Sequence, residues 1–232
     1  MLLGLAMVAG SGWLIFENKS EEAAAGSLSE VALLELKESI AAAPKSTPVP
    51  MITYVPGATP EPAQSGDFEL TAPVDEAELP ALAPEATVPV RWGDPTPVPE
   101  MPTMTIGGQQ YIGYLELPTI ALNLPVMSDW SYPQLRKAPC RYTGSAYEDN
   151  MVIMAHNYER HFGNLTSLNI GDPVQFVDAQ GSIFRYRVAA HETLAPTDVA
   201  PMVDNAYDLT LFTCTYGGAS RITVRLERVL TY

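Results

Sequence analysis

The chain of 232 residues carries 27 acidic and 13 basic side chains, a formal charge of −14. Its bases are scattered among acids and form no basic cluster to meet phosphates, which argues against a nucleic-acid-binding protein. The charge is unevenly placed: residues 1–100 hold 15 acids and 4 bases, residues 101–232 hold 12 and 9, and 14 of the 21 prolines lie between Pro44 and Pro102. One domain of ordinary size therefore follows an acidic, proline-rich appendage.

Residues 1–16, MLLGLAMVAGSGWLIF, are uncharged and apolar and give way abruptly to ENKSEE. A membrane-spanning helix wants about 20 such residues, so the run fits a short anchor or a signal segment. The acidic residues before Ala23-Ala24-Ala25 make a poor cleavage region, which favours the anchor. The expected placement is a single-pass N-terminal anchor in the cell membrane with the rest of the chain outside.

Within residues 17–43, LSEVALLELKESIAA sets Leu28, Val31, Leu33, Leu34 and Leu36 at mostly helical spacing, and a short amphipathic helix is expected there. Residues 44–104 are rich in Pro, Ala, Thr and acids. Such a segment buries too little apolar surface to offset its chain entropy and is read as a disordered, extended stalk, Trp92-Gly93-Asp94-Pro95 included.

Residues 105–232 change texture to short β-prone runs between turns: YIGYLEL, ALNLPVM, MVIMAH, PVQFVD, IFRYRVAAHETLA, DLTLFTC and RITVRLERVL. FGNLTSLNIGD reads as one short helix with Gly171 near its end. Seven or eight strands with scarcely any long helix imply a mainly β barrel or sandwich.

The chemistry-bearing residues lie at strand ends. There are two cysteines, Cys140 and Cys214. Outside the cytoplasm two cysteines often form a disulfide, and spacing alone leaves that reading open. Cys214 closes the run LTLFTC and Arg221 opens the next strand after Gly217-Gly218, so a hairpin would bring them side by side. His156 ends MVIMA and precedes the turn-prone Asn157, placing it at a mouth. A cation favours a thiolate, and an imidazole supplies acid and base steps, so these are the parts of a cysteine nucleophile site. His161 and His191 read as surface or core residues. Arg225 shares alternation parity with Arg221 along the last strand, and Arg221 is preferred for its place at the strand mouth. No cofactor is expected: the three histidines lack metal-ligand spacing.

Thr210-Leu211-Phe212-Thr213-Cys214 matches the TLxTC signature of the sortases, the cysteine transpeptidases that attach surface proteins to Gram-positive cell envelopes. The resemblance covers roughly Ile112 to Tyr232 and takes in His156 and Arg221. It implies a closed eight-stranded β-barrel with one or two short helices. By resemblance Cys214 is the nucleophile on the Thr-Gly bond of an LPxTG-like sorting signal and forms a thioacyl intermediate. His156 protonates the departing amine and deprotonates the incoming one, Arg221 holds the substrate and its oxyanion, and Thr213 lines the substrate pocket. The implied partners are a sorting-signal peptide and an amine acceptor from the cell wall or a pilin-type protein. CTY and His-Asn-Tyr look closest to class B-like sortases. Two rivals stand beside this reading: a cysteine peptidase that passes the thioacyl group to water, and a non-catalytic stalked binding domain with Cys140 and Cys214 bridged.

Overall fold

The computed structural model describes residues 2–43 and 100–229, with side chains from residue 19 onward. Residues 44–99 of the expected stalk, with Trp92-Gly93-Asp94-Pro95, lie outside the described residues, as do the side chains of the apolar N-terminal run. The last residues of the expected stalk are not stalk, because Met101 is buried in the barrel core and Met104 opens a strand. The elements in chain order are α1 (Leu2–Ala42), β1 (Met104–Ile106), β2 (Gln109–Leu117), β3 (Leu122–Met127), α2 (Tyr132–Leu135), β4 (Cys140–Thr143), β5 (Met151–Met154), β6 (Pro173–Asp178), β7 (Ile183–Leu194), α3 (Val199–Val203), β8 (Leu209–Cys214) and β9 (Arg221–Arg228).

The strands form one sheet in the order β1-β2-β3-β4-β5-β8-β9-β7-β6, and a further pairing of β2 with β6 closes the last eight into a barrel. Strand β1 is an antiparallel extension that pairs with the start of β2. The pairings are antiparallel except β3 with β4 and β5 with β8. Closure brings β2 against β6 at Gly113, where φ is +148° and a Cβ would meet the carbonyl oxygen of Val177. Only glycine combines that backbone conformation with so close an approach, and β2 carries a register shift at the same point.

Alternation along each strand sends one set of side chains into the barrel. Ile112, Leu115, Met151, Ile153, Phe176, Tyr186, Leu209, Leu211, Val224 and Leu226 form a single interior cluster. Strand β7 shows the pattern most cleanly, with Phe184, Tyr186 and Val188 buried between exposed Ile183, Arg185 and Arg187. Strand β8 departs from it: Leu209 through Thr213 are all buried, because its outer face is covered as well. That cover is α3, whose Met202 packs with Val152 and Phe212.

Helix α1 runs as one helix from Leu2 to Ala42, longer than the segment expected from the Leu28–Leu36 spacing. Its contact face is also different. Ala25, Ser29, Ala32 and Leu36 are buried against the barrel, whereas Leu28, Val31 and Leu34 are more than half exposed. Small residues at spacings of three and four let the helix axis approach the sheet, so leucines are not required on that face. Leu36 and Ala32 meet Ile106, Tyr111, Met127 and Cys140. Lys37 is paired with Glu116 at 2.9 Å and lies 4.5 Å over the Tyr114 ring. No helix among the described residues is long and apolar enough to cross a membrane.

The stretch after β5 holds no α-helix. Only a 3-10 turn forms at Leu165–Ser167. Upstream of it the chain is tied into turns by Phe162 N–H donating to His156 O (3.1 Å) and Gly163 N–H to Tyr158 O (2.9 Å). These turns aim backbone donors at carbonyls the helix ladder would not use, and a Cβ at Gly163 would lie 2.7 Å from the carbonyl oxygens of Asn157 and Tyr158.

Candidate active site

Strand register brings three of the sequence-predicted residues together. Cys214 and Arg221 are direct partners on antiparallel β8 and β9. Leu209, Leu211 and Val224 point into the barrel, so Cys214, Phe212, Arg221 and Arg225 share the outer face by alternation. On the parallel neighbour β5, Met154 is level with Phe212. Continuing that register by two residues sets His156 level with Cys214 on the same outer face. Thr213 has the opposite parity: it is buried, and its hydroxyl donates to Ala155 O at 2.9 Å, lacing the end of β8 to the end of β5.

The three outer-face residues and Thr213 line a single groove of about 230 Å³. Met154 and Phe212 form its floor. One wall is an aromatic layer in which Tyr142 meets Phe212 edge-on at 5.6 Å and Trp130 lies 5.9 Å from Tyr142. The other wall is the β7–β8 connection, with Pro196, Asp198, Val199 and Met202. Phe212 was legible as a groove residue from its i−2 position to Cys214. The aromatic layer and the α3 wall come from distant segments and had no signal in the sequence.

Cys214 is half-buried and free, and Cys140 is buried and free. The disulfide of the rival reading is absent. Cys140 pairs with Met154, which pairs with Phe212, so two strand spacings of about 5 Å each separate Cys140 from β8, too far for a bridge. Burial under α1 pushes the Cys140 thiol up to about 12, which keeps it protonated and inert.

The His156 ring stacks on Tyr158 at 4.8 Å and 22°, and Tyr158 in turn lies 5.5 Å from the His161 ring. His156 is held below the usual histidine range, first by burial and then by the Arg136 guanidinium, with the Glu21 carboxylate of α1 pulling the other way. His161 is fully buried, and neither ring nitrogen has a hydrogen-bond partner among the described residues. Desolvation, helped by His156, brings it down to about 4. His191 is exposed on β7.

Arg221 donates from Nη1 to Gly218 O (3.1 Å) and Ser220 O (3.2 Å), both in its own turn. The guanidinium is thus pinned at one end beside Cys214, with Nε and Nη2 left without acceptors among the described residues. No cluster of three or more His, Cys, Asp or Glu residues able to hold a metal ion occurs among the described residues.

Residues 115–229 match the sequence model of the sortase domain. The barrel is a sortase domain. Solved sortases share the likeness. Sortase C1 of GBS Pilus Island 1 is 23% identical over 53% of this chain and 66% of its own, with a TM-score of 0.47. Sortase C of Streptococcus pneumoniae is 28% identical over 52% of this chain and 67% of its own, at 0.47. Sortase A from Corynebacterium diphtheriae is 25% identical over 53% and 63%, at 0.48. The chain therefore spans about two thirds of the length of each. No curated protein matches the chain.

Proposed function

We propose that the chain is a cysteine transpeptidase that cleaves an LPxTG-like sorting signal and passes the acyl group to an amine of the cell wall or of a pilin-type protein. The observation that carries this reading is the convergence of His156, free Cys214 and Arg221 at one end of an apolar groove, within a sortase domain.

The chemistry follows from the environment of each group. His156, held below its ordinary range, is neutral at pH 7 and able to accept the Cys214 thiol proton as sulfur attacks the scissile carbonyl carbon. The carbonyl π electrons move to oxygen, and the free end of the Arg221 fork stabilises that oxyanion. Collapse expels the amine, which takes the proton from the His156 imidazolium, and a thioester remains on Cys214. An incoming amine attacks the thioester, gives its proton to His156, and releases the sulfur, which regains a proton. Thr213 serves by holding the ends of β5 and β8 in register beside the substrate. The N-terminal segment would tether the protein to the cell membrane of a Gram-positive-type bacterium, with the barrel outside.

The test is intact-mass spectrometry of the full chain incubated with a panel of sorting-signal peptides, with and without an added amine. An acyl adduct mapping to Cys214, absent in Cys214→Ala and converted to an amide product by the amine, is the expected result. Release of free acid alone, with the amine ignored, would make the protein a peptidase instead. Absence of any adduct with every peptide would remove the catalytic reading.

A further inference from the structure

The groove wall made by the β7–β8 connection is poorly equipped to hold itself. Helix α3 has five residues, and its N-cap Asp198 makes no side-chain cap bond to the helix. The segment's own side-chain ties are local, Ala195 N–H to Asp198 Oδ2 at 2.8 Å and Asn205 Nδ2 to Met202 O at 3.0 Å, and the residue that bonds it to the sheet is Arg225, an arginine in the middle of β9 that is 1% exposed. It sits opposite Thr210 on β8 and Ala190 on β7.

Four hydrogen bonds and an ion pair hold its guanidinium. Nη2 donates to Pro201 O at 2.6 Å and Nη1 to Met202 O at 3.2 Å, both carbonyls of α3. Nη1 also donates to Thr210 Oγ1 at 2.9 Å, and Nε to Glu192 Oε2 at 2.9 Å. Nη2 also lies 2.8 Å from the same Glu192 oxygen, completing the ion pair. Neighbouring strands β7 and β8 thus hold one side of the fork while the other grips the α3 backbone.

Burying an ion pair is an inefficient way to gain stability, because the desolvation cost absorbs much of the attraction and an apolar side chain of similar volume packs about as well. What the fork provides that an apolar residue would not is fixed geometry. The backbone of Pro201 and Met202 is set against the sheet, and with it the Met202 side chain, which packs on Phe212 in the groove. Arg221, four residues earlier on the same face, stands at the mouth, whereas Arg225 lies beneath α3 away from the reacting atoms.

We propose that Arg225 is a positioning residue that fixes the α3 wall and so determines which apolar side chain of an extended peptide is accepted beside Met202 and Phe212. This rests on the reading that the groove takes a peptide.

The experiment compares the full chain with Arg225→Met, Arg225→Lys, Glu192→Ala and Thr210→Val, the last two loosening the clamp should Arg225→Met fail to fold. Four quantities are read: hydrogen exchange of residues 195–204, KM and kcat for a cleaved peptide, and the rate of Cys214 alkylation by iodoacetamide. Faster exchange confined to 195–204 is expected, with peptide KM up about tenfold as for a misfitted apolar pocket. Iodoacetamide reactivity should be unchanged and Arg225→Lys should recover part of the effect. Unaltered exchange in 195–204 in every folded variant overturns the proposal, as does a parallel loss of kcat and alkylation rate with KM unchanged. If the wild-type chain turns over no peptide, the transpeptidase reading fails, while the exchange measurement still decides whether Arg225 holds the wall.

Discussion

The charges around His156 act on it in opposite senses, and each can be removed separately. Arg136 lowers the histidine and Glu21 raises it, both beneath the larger effect of burial. Arg136→Gln should therefore move the acid limb of the Cys214 acylation rate to higher pH, and Glu21→Gln should move it lower. An NMR titration of the His156 ring would show the same two directions, and equal midpoints in both variants would contradict the assignment. His161 makes a different prediction, about stability. Its folded value of about 4 lies below the ordinary 6.5, so between those limits the unfolded chain binds the extra proton. Its contribution is fully present above pH 6.5 and is lost as pH falls toward 4, by about 3 kcal/mol for a shift of this size. Urea unfolding at pH 7 and pH 4.5 should show His161→Phe losing less stability on acidification than the wild type. An identical loss in both would mean the buried imidazole is not the group responsible.

At the scale of elements, the two faces of β8 have separate duties. Leu209 and Leu211 belong to the barrel interior, while Thr210 and Phe212 support α3 and the groove. Helix α1 is attached through a smaller contact in which Leu36 is the largest fully buried side chain. Leu36→Ala should cost about 2–4 kcal/mol by the usual transfer and cavity effects. Since Cys140 packs in the same cluster, its alkylation in the native state should speed up in that variant while Cys214 alkylation holds steady. Thiol mapping by mass spectrometry separates the two, and an unchanged Cys140 rate would mean that α1 does not shield it.

For the whole molecule, the packing of α1 alters what the proline-rich segment can do. Among the described residues, α1 and the barrel belong to one compact unit. A spacer between anchor and barrel would need α1 to be free of the barrel, yet Lys37 is bonded to Glu116 of β2 and Glu22 Oε1 accepts from the Glu159 N–H. Replacing residues 46–97 by a short Gly/Ser linker should therefore leave the melting temperature of the barrel within a few degrees of the original. Deleting residues 19–42 should lower it clearly and expose Cys140. The opposite ranking in a thermal melt would show that the helix contributes little and the long segment much.

The β-rich character and the Cys214–Arg221 hairpin were legible in the sequence, because alternation and turn residues are local and their period is short. His156 was legible as a strand end, for the same reason. The parallel pairing of β5 with β8 that sets it level with Cys214 joins segments more than fifty residues apart, which local pattern does not encode. The same limit applies to the small-residue face of α1, to the turns that replaced a helix after β5, and to the α3 wall. Cysteine spacing could not separate a bridge from two free thiols, since the answer depends on how many strands lie between them. Local chemistry and periodicity follow from the chain order of the residues; distances across the barrel follow only from closure of the sheet, where backbone hydrogen bonds between remote strands set the register.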